Sequence, residues 1–69
     1  KERKEILDWA LSKLPDNQRT AIILSKYEGF SNKEITEIMD MSLSAVEALM
    51  HRAKKNLQKE LKDYFEKHL

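Results

Sequence analysis

Between His51 and Lys62 the chain carries Arg52, Lys54, Lys55, Lys59 and Lys62 against a single acid, Glu60. Cations at this density can neutralise a row of phosphates, and an arginine or histidine among them can also donate to base edges. The preceding stretch has the opposite sign, with Glu28, Glu34, Glu37 and Asp40 against Lys33. A net charge of +1, from 13 basic and 12 acidic residues, thus conceals a polarised molecule. Other chemistries lack their parts. His51 and His68 have no metal-ligand spacing, cysteine is absent, and no glycine-rich loop exists to cradle a phosphate. The carboxylates fall on charged helical faces with no pocket to tune them, so no catalytic residue, metal, cofactor or small-molecule substrate is expected.

The basic stretch needs a helix to hold it, and the sequence supplies one. Val46, Leu49, Met50, Ala53, Leu57 and Leu61 recur at helical spacing. Ser42 is placed to cap that helix, and Met41 to staple onto Val46. At 100° per residue, Val46, Met50, Ala53 and Leu57 share one face, with Ser44, Ala48, His51, Lys55 and Lys59 opposite and Arg52 beside them. Ahead of it lies a shorter helix. Ser31 and Glu34 form the S-x-x-E pattern of a capping box, Phe30 is placed to pack on Ile35, and the run of Ile35, Ile38 and Met39 breaks at Asp40, Met41 and Ser42. Two helices across so short a break match a helix-turn-helix over about residues 31–57, with Asp40 at a turn position that favours positive φ. Asp adopts that region more readily than most residues other than Gly.

Upstream, Ile6, Leu7, Ala10, Leu11 and Leu14 mark a first amphipathic helix over Lys1 to Leu14. Trp9 lies off the stripe, to pack on Tyr64 or Phe65 or to anchor a partner. Pro15 suits the first turn of the next helix, which runs to about Tyr27 with Ile22, Ile23 and Tyr27 inward and Leu24 at the margin, until Gly29 stops it. Past Leu57 the stripe continues through Leu61, Tyr64, Phe65 and Leu69, either docking the tail on the first helix or presenting it to another protein. The expected fold is all-α: one small domain over 1–69, of four helices, or five if the last breaks near Lys62. With no signal-peptide pattern and no apolar run of membrane-spanning length, a cytoplasmic chain without membrane contact is expected. The absent initiator Met suggests a piece of a longer protein.

Three blocks, LPDNQR at 14–19, YEGFSNKEI at 27–35 and SLSAVEALMHRAKKNL at 42–57, together resemble the C-terminal promoter-binding domain, region 4, of bacterial sigma factors. The extracytoplasmic-function group is the most similar. The resemblance runs from about Ile6 to Leu61. It implies that the second helix of the pair enters the major groove of a promoter's −35 element and that another face binds the β flap of RNA polymerase. Many members are also held by anti-sigma proteins.

On that reading the DNA-facing residues are Ser42, Ser44, Ala45, Glu47, Ala48, His51, Arg52, Lys55 and Lys59. Ser44 and Ala48 are small enough to admit base edges, Ala45 or Ala48 can touch a thymine methyl, and His51 and Arg52 can reach bases or phosphate. Lys54, Lys55 and Lys59 grip the backbone. The chain departs from the family pattern at Glu47, Ala48 and Leu49, where a basic residue, a small one and an arginine usually follow the helix's valine. That takes away two contacts to DNA and leaves Glu47 either to meet a cytosine amino group or to pair with His51 or Lys54. Two rival readings stand beside this one. The first is the helix-turn-helix effector domain of a response regulator; the second, motivated by Glu47 and Leu49, is an interaction module that binds polymerase or an anti-sigma protein without reading DNA.

Overall fold

The computed structural model describes residues 3–68, His68 by its backbone alone; Lys1 and Leu69, expected at the ends of the outer helices, lie outside them. The elements are α1 (Arg3–Ser12), α2 (Asp16–Ile22), a π-helical segment (Ile23–Tyr27), α3 (Asn32–Met39) and α4 (Leu43–His68). No strand occurs among the described residues.

The first helix ends earlier than its apolar spacing predicts. Lys13 and Leu14 donate to the carbonyls of Ala10 and Leu11, both at 3.1 Å, and these tighter i→i−3 bonds wind down α1 while keeping Leu14 buried beneath it. Pro15 then stands just before α2, at its N-cap with φ −54° and ψ 151°, instead of within its first turn. Its carbonyl accepts from Arg19 N at 3.0 Å, and Asp16 pairs with Arg19.

The continuation of α2 changes pitch. Glu28 N donates to Ile23 O at 3.0 Å, an i→i−5 bond, so this turn is wider than an α-turn. The wider turn carries Tyr27 off the inner face: it is 51% exposed and Ile23 only half-buried, whereas α-helical spacing places both in the core. Gly29, at φ 78°, ends the segment, and Phe30 N reaches back to Leu24 O at 3.0 Å. A Cβ at Gly29 would meet no atom within 4 Å, so the backbone angle alone favours glycine. Phe30, expected to pack on Ile35, sits exposed at the bend.

The capping box of α3 forms in both directions. Glu34 N donates to Ser31 Oγ at 3.1 Å, and Ser31 N donates to Glu34 Oε1 at 2.9 Å. The latter bond holds the Glu34 carboxyl below the ordinary glutamate value, helped by the Ser31 side chain. At the other end Asp40 adopts φ 53° and ψ 55°, and both its own N–H and that of Met41 bond to Thr36 O. That closure joins the 6→1 bond of a Schellman motif, from Met41, to the 5→1 bond of an αL motif, from a left-handed aspartate. Ile38 faces outward and is 51% exposed, leaving Ile35 as the buried residue of α3.

Two apolar clusters lie side by side along α4. Ala21, Ile35, Val46, Leu49 and Met50 form one, with Leu24, Met39 and Met41 packed on it; Leu11, Leu14, Ile22 and Ala53 form the other, flanked by Leu7 and Leu57. Neighbouring residues of α2, Ala21 and Ile22, thus serve different clusters, and α4 touches α1, α2 and α3. Full burial of a side chain such as Ile35 contributes roughly 1.5–3 kcal/mol, and the clusters together fix the rotation of α4.

No break occurs at Lys62, so the last helix does not divide in two; α4 runs unbroken for 26 residues. Its tail docks on α1. The Trp9 and Tyr64 rings lie 5.3 Å apart, tilted by 56°, Phe65 meets Tyr64 edge-on, and Lys13 Nζ is 5.3 Å from the Trp9 ring centroid. Among the described residues no helix is long and apolar enough to cross a membrane.

Candidate nucleic-acid interface

The start of α4 is fixed by Ser42. Its Oγ accepts from Ala45 N at 3.2 Å and its carbonyl accepts from Val46 N at 2.9 Å. The Ser44 hydroxyl lies 3.3 Å from that Oγ. Ser42 thus sets where the helix begins, and its side chain is exposed there.

With Val46, Leu49, Met50 and Ala53 locked in the core, the rest of the helix has one orientation. Ser44, Glu47, Ala48, His51, Arg52, Lys54, Lys55 and Lys59 are all exposed along it, while Ala45 is half-buried. The sequence-predicted residues are thus brought to one outward surface, Ala45 at its margin. His51, Lys54, Lys55 and Gln58 line a shallow concavity there, bounded by two lysines. A rise of 1.5 Å per residue puts about 10 Å between Ser44 and His51, within the roughly 12 Å width of a major groove. Lys55 and Lys59 then lie about 6 and 12 Å farther along the axis, where a helix leaving the groove meets its phosphate rim. Small side chains and potential base donors come first, and the cations follow.

Two expectations at this site are corrected. Leu49 is 1% exposed and belongs to the core, so a leucine there takes no DNA-facing group from the surface; helical geometry turns position 49 inward with Val46 and Met50. Glu47 makes no ion pair with His51 or Lys54: among the described residues the ion pairs are Asp16 with Arg19 and Lys62 with Glu66. At exposed helical positions such pairings are worth little, and the side chain is left in solvent.

Sequence reasoning missed Leu43. It opens α4, is 49% exposed, and stands one turn ahead of Glu47. Its spacing, three residues before Val46 and seven before Met50, sets it at the edge of the apolar stripe, so its exposure at the open end of the helix is what that spacing does not foretell. No group of three His, Cys, Asp or Glu side chains among the described residues is placed to hold a metal.

Residues 4–57 match the family described as Sigma-70, region 4. The chain is 37% identical over 59 residues to the RNA polymerase sigma factor YlaC of Bacillus subtilis (strain 168), covering 86% of this chain and 34% of that protein. It is also 34% identical over 62 residues to the ECF RNA polymerase sigma factor SigW of the same organism, covering 90% of this chain and 33% of that protein. The chain spans about a third of the length of the curated relatives it matches. The helix-turn-helix, its capped second helix and the matched segment coincide, which decides against a response-regulator effector domain: the chain belongs to the sigma-70 region 4 family.

Proposed function

We propose that this domain reads the −35 element of a promoter as part of an RNA polymerase sigma factor, laying α4 in the major groove and performing no chemistry of its own. The observation that carries this is the outward face of α4, where Ser44, Ala48, His51 and Arg52 precede Lys55 and Lys59 on a helix that the core holds in one rotation. Ser44 and Ala48 let the helix approach the bases, His51 and Arg52 donate to bases or phosphate, and Lys54, Lys55 and Lys59 grip the rim. Polymerase, through its β flap, and an anti-sigma protein are the protein partners of this reading, in the cytoplasm.

The test is a titration of the 69-residue chain with duplexes of varied −35-like sequence at low salt, followed by backbone amide shifts, where weak binding still registers. Sequence-dependent shifts centred on Ser44, Ala48, His51 and Arg52 are expected. Shifts confined to the lysines and indifferent to sequence would reduce the site to a generic basic grip. The absence of any shift would favour an interaction module, a reading from which the burial of Leu49 already removes one support.

A further inference from the structure

Glu47 is the one acid on the surface proposed to face DNA, and the structure gives it nothing to do for the protein itself. It is exposed and forms no ion pair among the described residues. The helix dipole does not account for it either. That field is felt within the first turn, and the first turn of α4 contains no acid. Glu47 sits one turn deeper, between Ser44 and His51 and next to Ala48, whose small side chain leaves room for the helix to press against the groove floor.

A carboxylate in that place meets phosphates on both sides, which repel it, and an ionised carboxylate is an acceptor only. The donors that a DNA major groove offers are the amino groups of cytosine and adenine. Adenine presents its amino group beside N7, an acceptor that faces a carboxylate unfavourably, whereas the cytosine N4 amino group has no such neighbour on its own base. Resting on the promoter-reading function proposed above, we infer that Glu47 is a specificity-determining residue. Its carboxylate accepts a hydrogen bond from the N4 amino group of a cytosine, so the recognised element carries a C·G pair facing the second turn of α4. The acid lowers affinity for every other sequence and restores it where that amino group is present, which is discrimination by repulsion as well as by contact.

The experiment selects duplexes from a randomised pool at one fixed low salt concentration, using the 69-residue chain, Glu47→Ala and Glu47→Gln, with thermal melts to show that all are folded. The unaltered chain is expected to enrich a motif with cytosine at one position. Glu47→Ala loses that preference alone, by about tenfold, and binds other sequences more tightly. Glu47→Gln keeps an acceptor and retains part of the preference. Replacing that cytosine with thymine, a carbonyl where the amine stood, weakens the unaltered chain about tenfold and leaves Glu47→Ala unaffected. An identical motif from the chain and Glu47→Ala, however much overall affinity changes, would overturn the assignment while leaving the promoter-reading function intact. Failure of all three proteins to enrich any motif would overturn both.

Discussion

The side-chain amide of Asn56 donates a 2.8 Å hydrogen bond to Oε1 of Gln18, joining α2 to α4 across 38 positions of sequence. Gln18 is 9% exposed, the one buried polar residue among those described, and the bond sits beside the two apolar clusters on α4. It adds direction to packing that has none: the apolar clusters resist separation of the helices, whereas a bond between two fixed amides resists sliding.

Removing either partner leaves the other without its bond in a partly buried place. Gln18→Ala and Asn56→Ala should each destabilise the fold by about 1–3 kcal/mol, with the double variant costing clearly less than their sum. Urea melts of the four proteins in the cycle measure this, and simple additivity would show that the bond contributes nothing.

Asp40 closes α3 from the left-handed region, at φ 53°. Glycine enters that region without a Cβ penalty, although it loses more freedom on folding. Asp40→Gly is expected to stabilise by about 0.5–1 kcal/mol and Asp40→Val to destabilise, as read from melting temperatures. A lowered melting temperature for the glycine variant would mean that the aspartate side chain does more for this turn than its backbone angle suggests.

The Glu34 carboxyl is held below the ordinary value of 4.5 by the Ser31 backbone N–H and then by the Ser31 side chain. A carboxyl lowered in the fold contributes stability above its unfolded value, and that contribution is lost as pH falls through the folded one. Glu34→Gln should therefore be less stable than the unaltered chain at neutral pH, and the gap should close as pH falls through and below 4.5. Chemical denaturation at several pH values follows it; a gap constant with pH would assign the effect to geometry in place of charge.

Arg52 and Lys59 are both exposed and unpaired among the described residues, yet they sit at different distances along α4. Lys59→Ala should weaken binding evenly across duplex sequences and reduce the salt slope by about one. Arg52→Ala should also narrow the difference between preferred and unrelated duplexes. Binding isotherms at several salt concentrations separate the two, and an Arg52→Ala affinity unchanged at matched salt would remove that residue from the interface.

The helix-turn-helix was legible because its signals are local. Ser31 with Glu34, the break at Asp40, and Ser42 with Met41 each act within a few residues, and each forms as its spacing predicts. The docking of Trp9 on Tyr64 was legible as one of two choices, since a stripe running through Leu61 needed a surface to cover. Tyr27 was misplaced because apolar spacing assumes a pitch that the π turn abandons. Leu49 was misjudged by weighing a family pattern above the chain's own stripe, which already set it with Val46 and Met50. The Gln18–Asn56 bond left no trace in either segment, because neither residue is unusual for the helix that holds it. The surface that presents the site was thus readable, whereas the ligand each side chain meets depends on atoms the chain does not contain.

The length of α4 has a mechanical side. Its 26 residues make a rod of about 39 Å, nearly the full 40 Å of the molecule's longest dimension, so Ser44 and the aromatic tail stand at opposite ends of one rod. A rigid tilt of about 10° imposed at the Tyr64 end would swing Ser44 by about 5 Å, a large part of the width of a major groove. Whatever grasps the tail therefore also aims the tip.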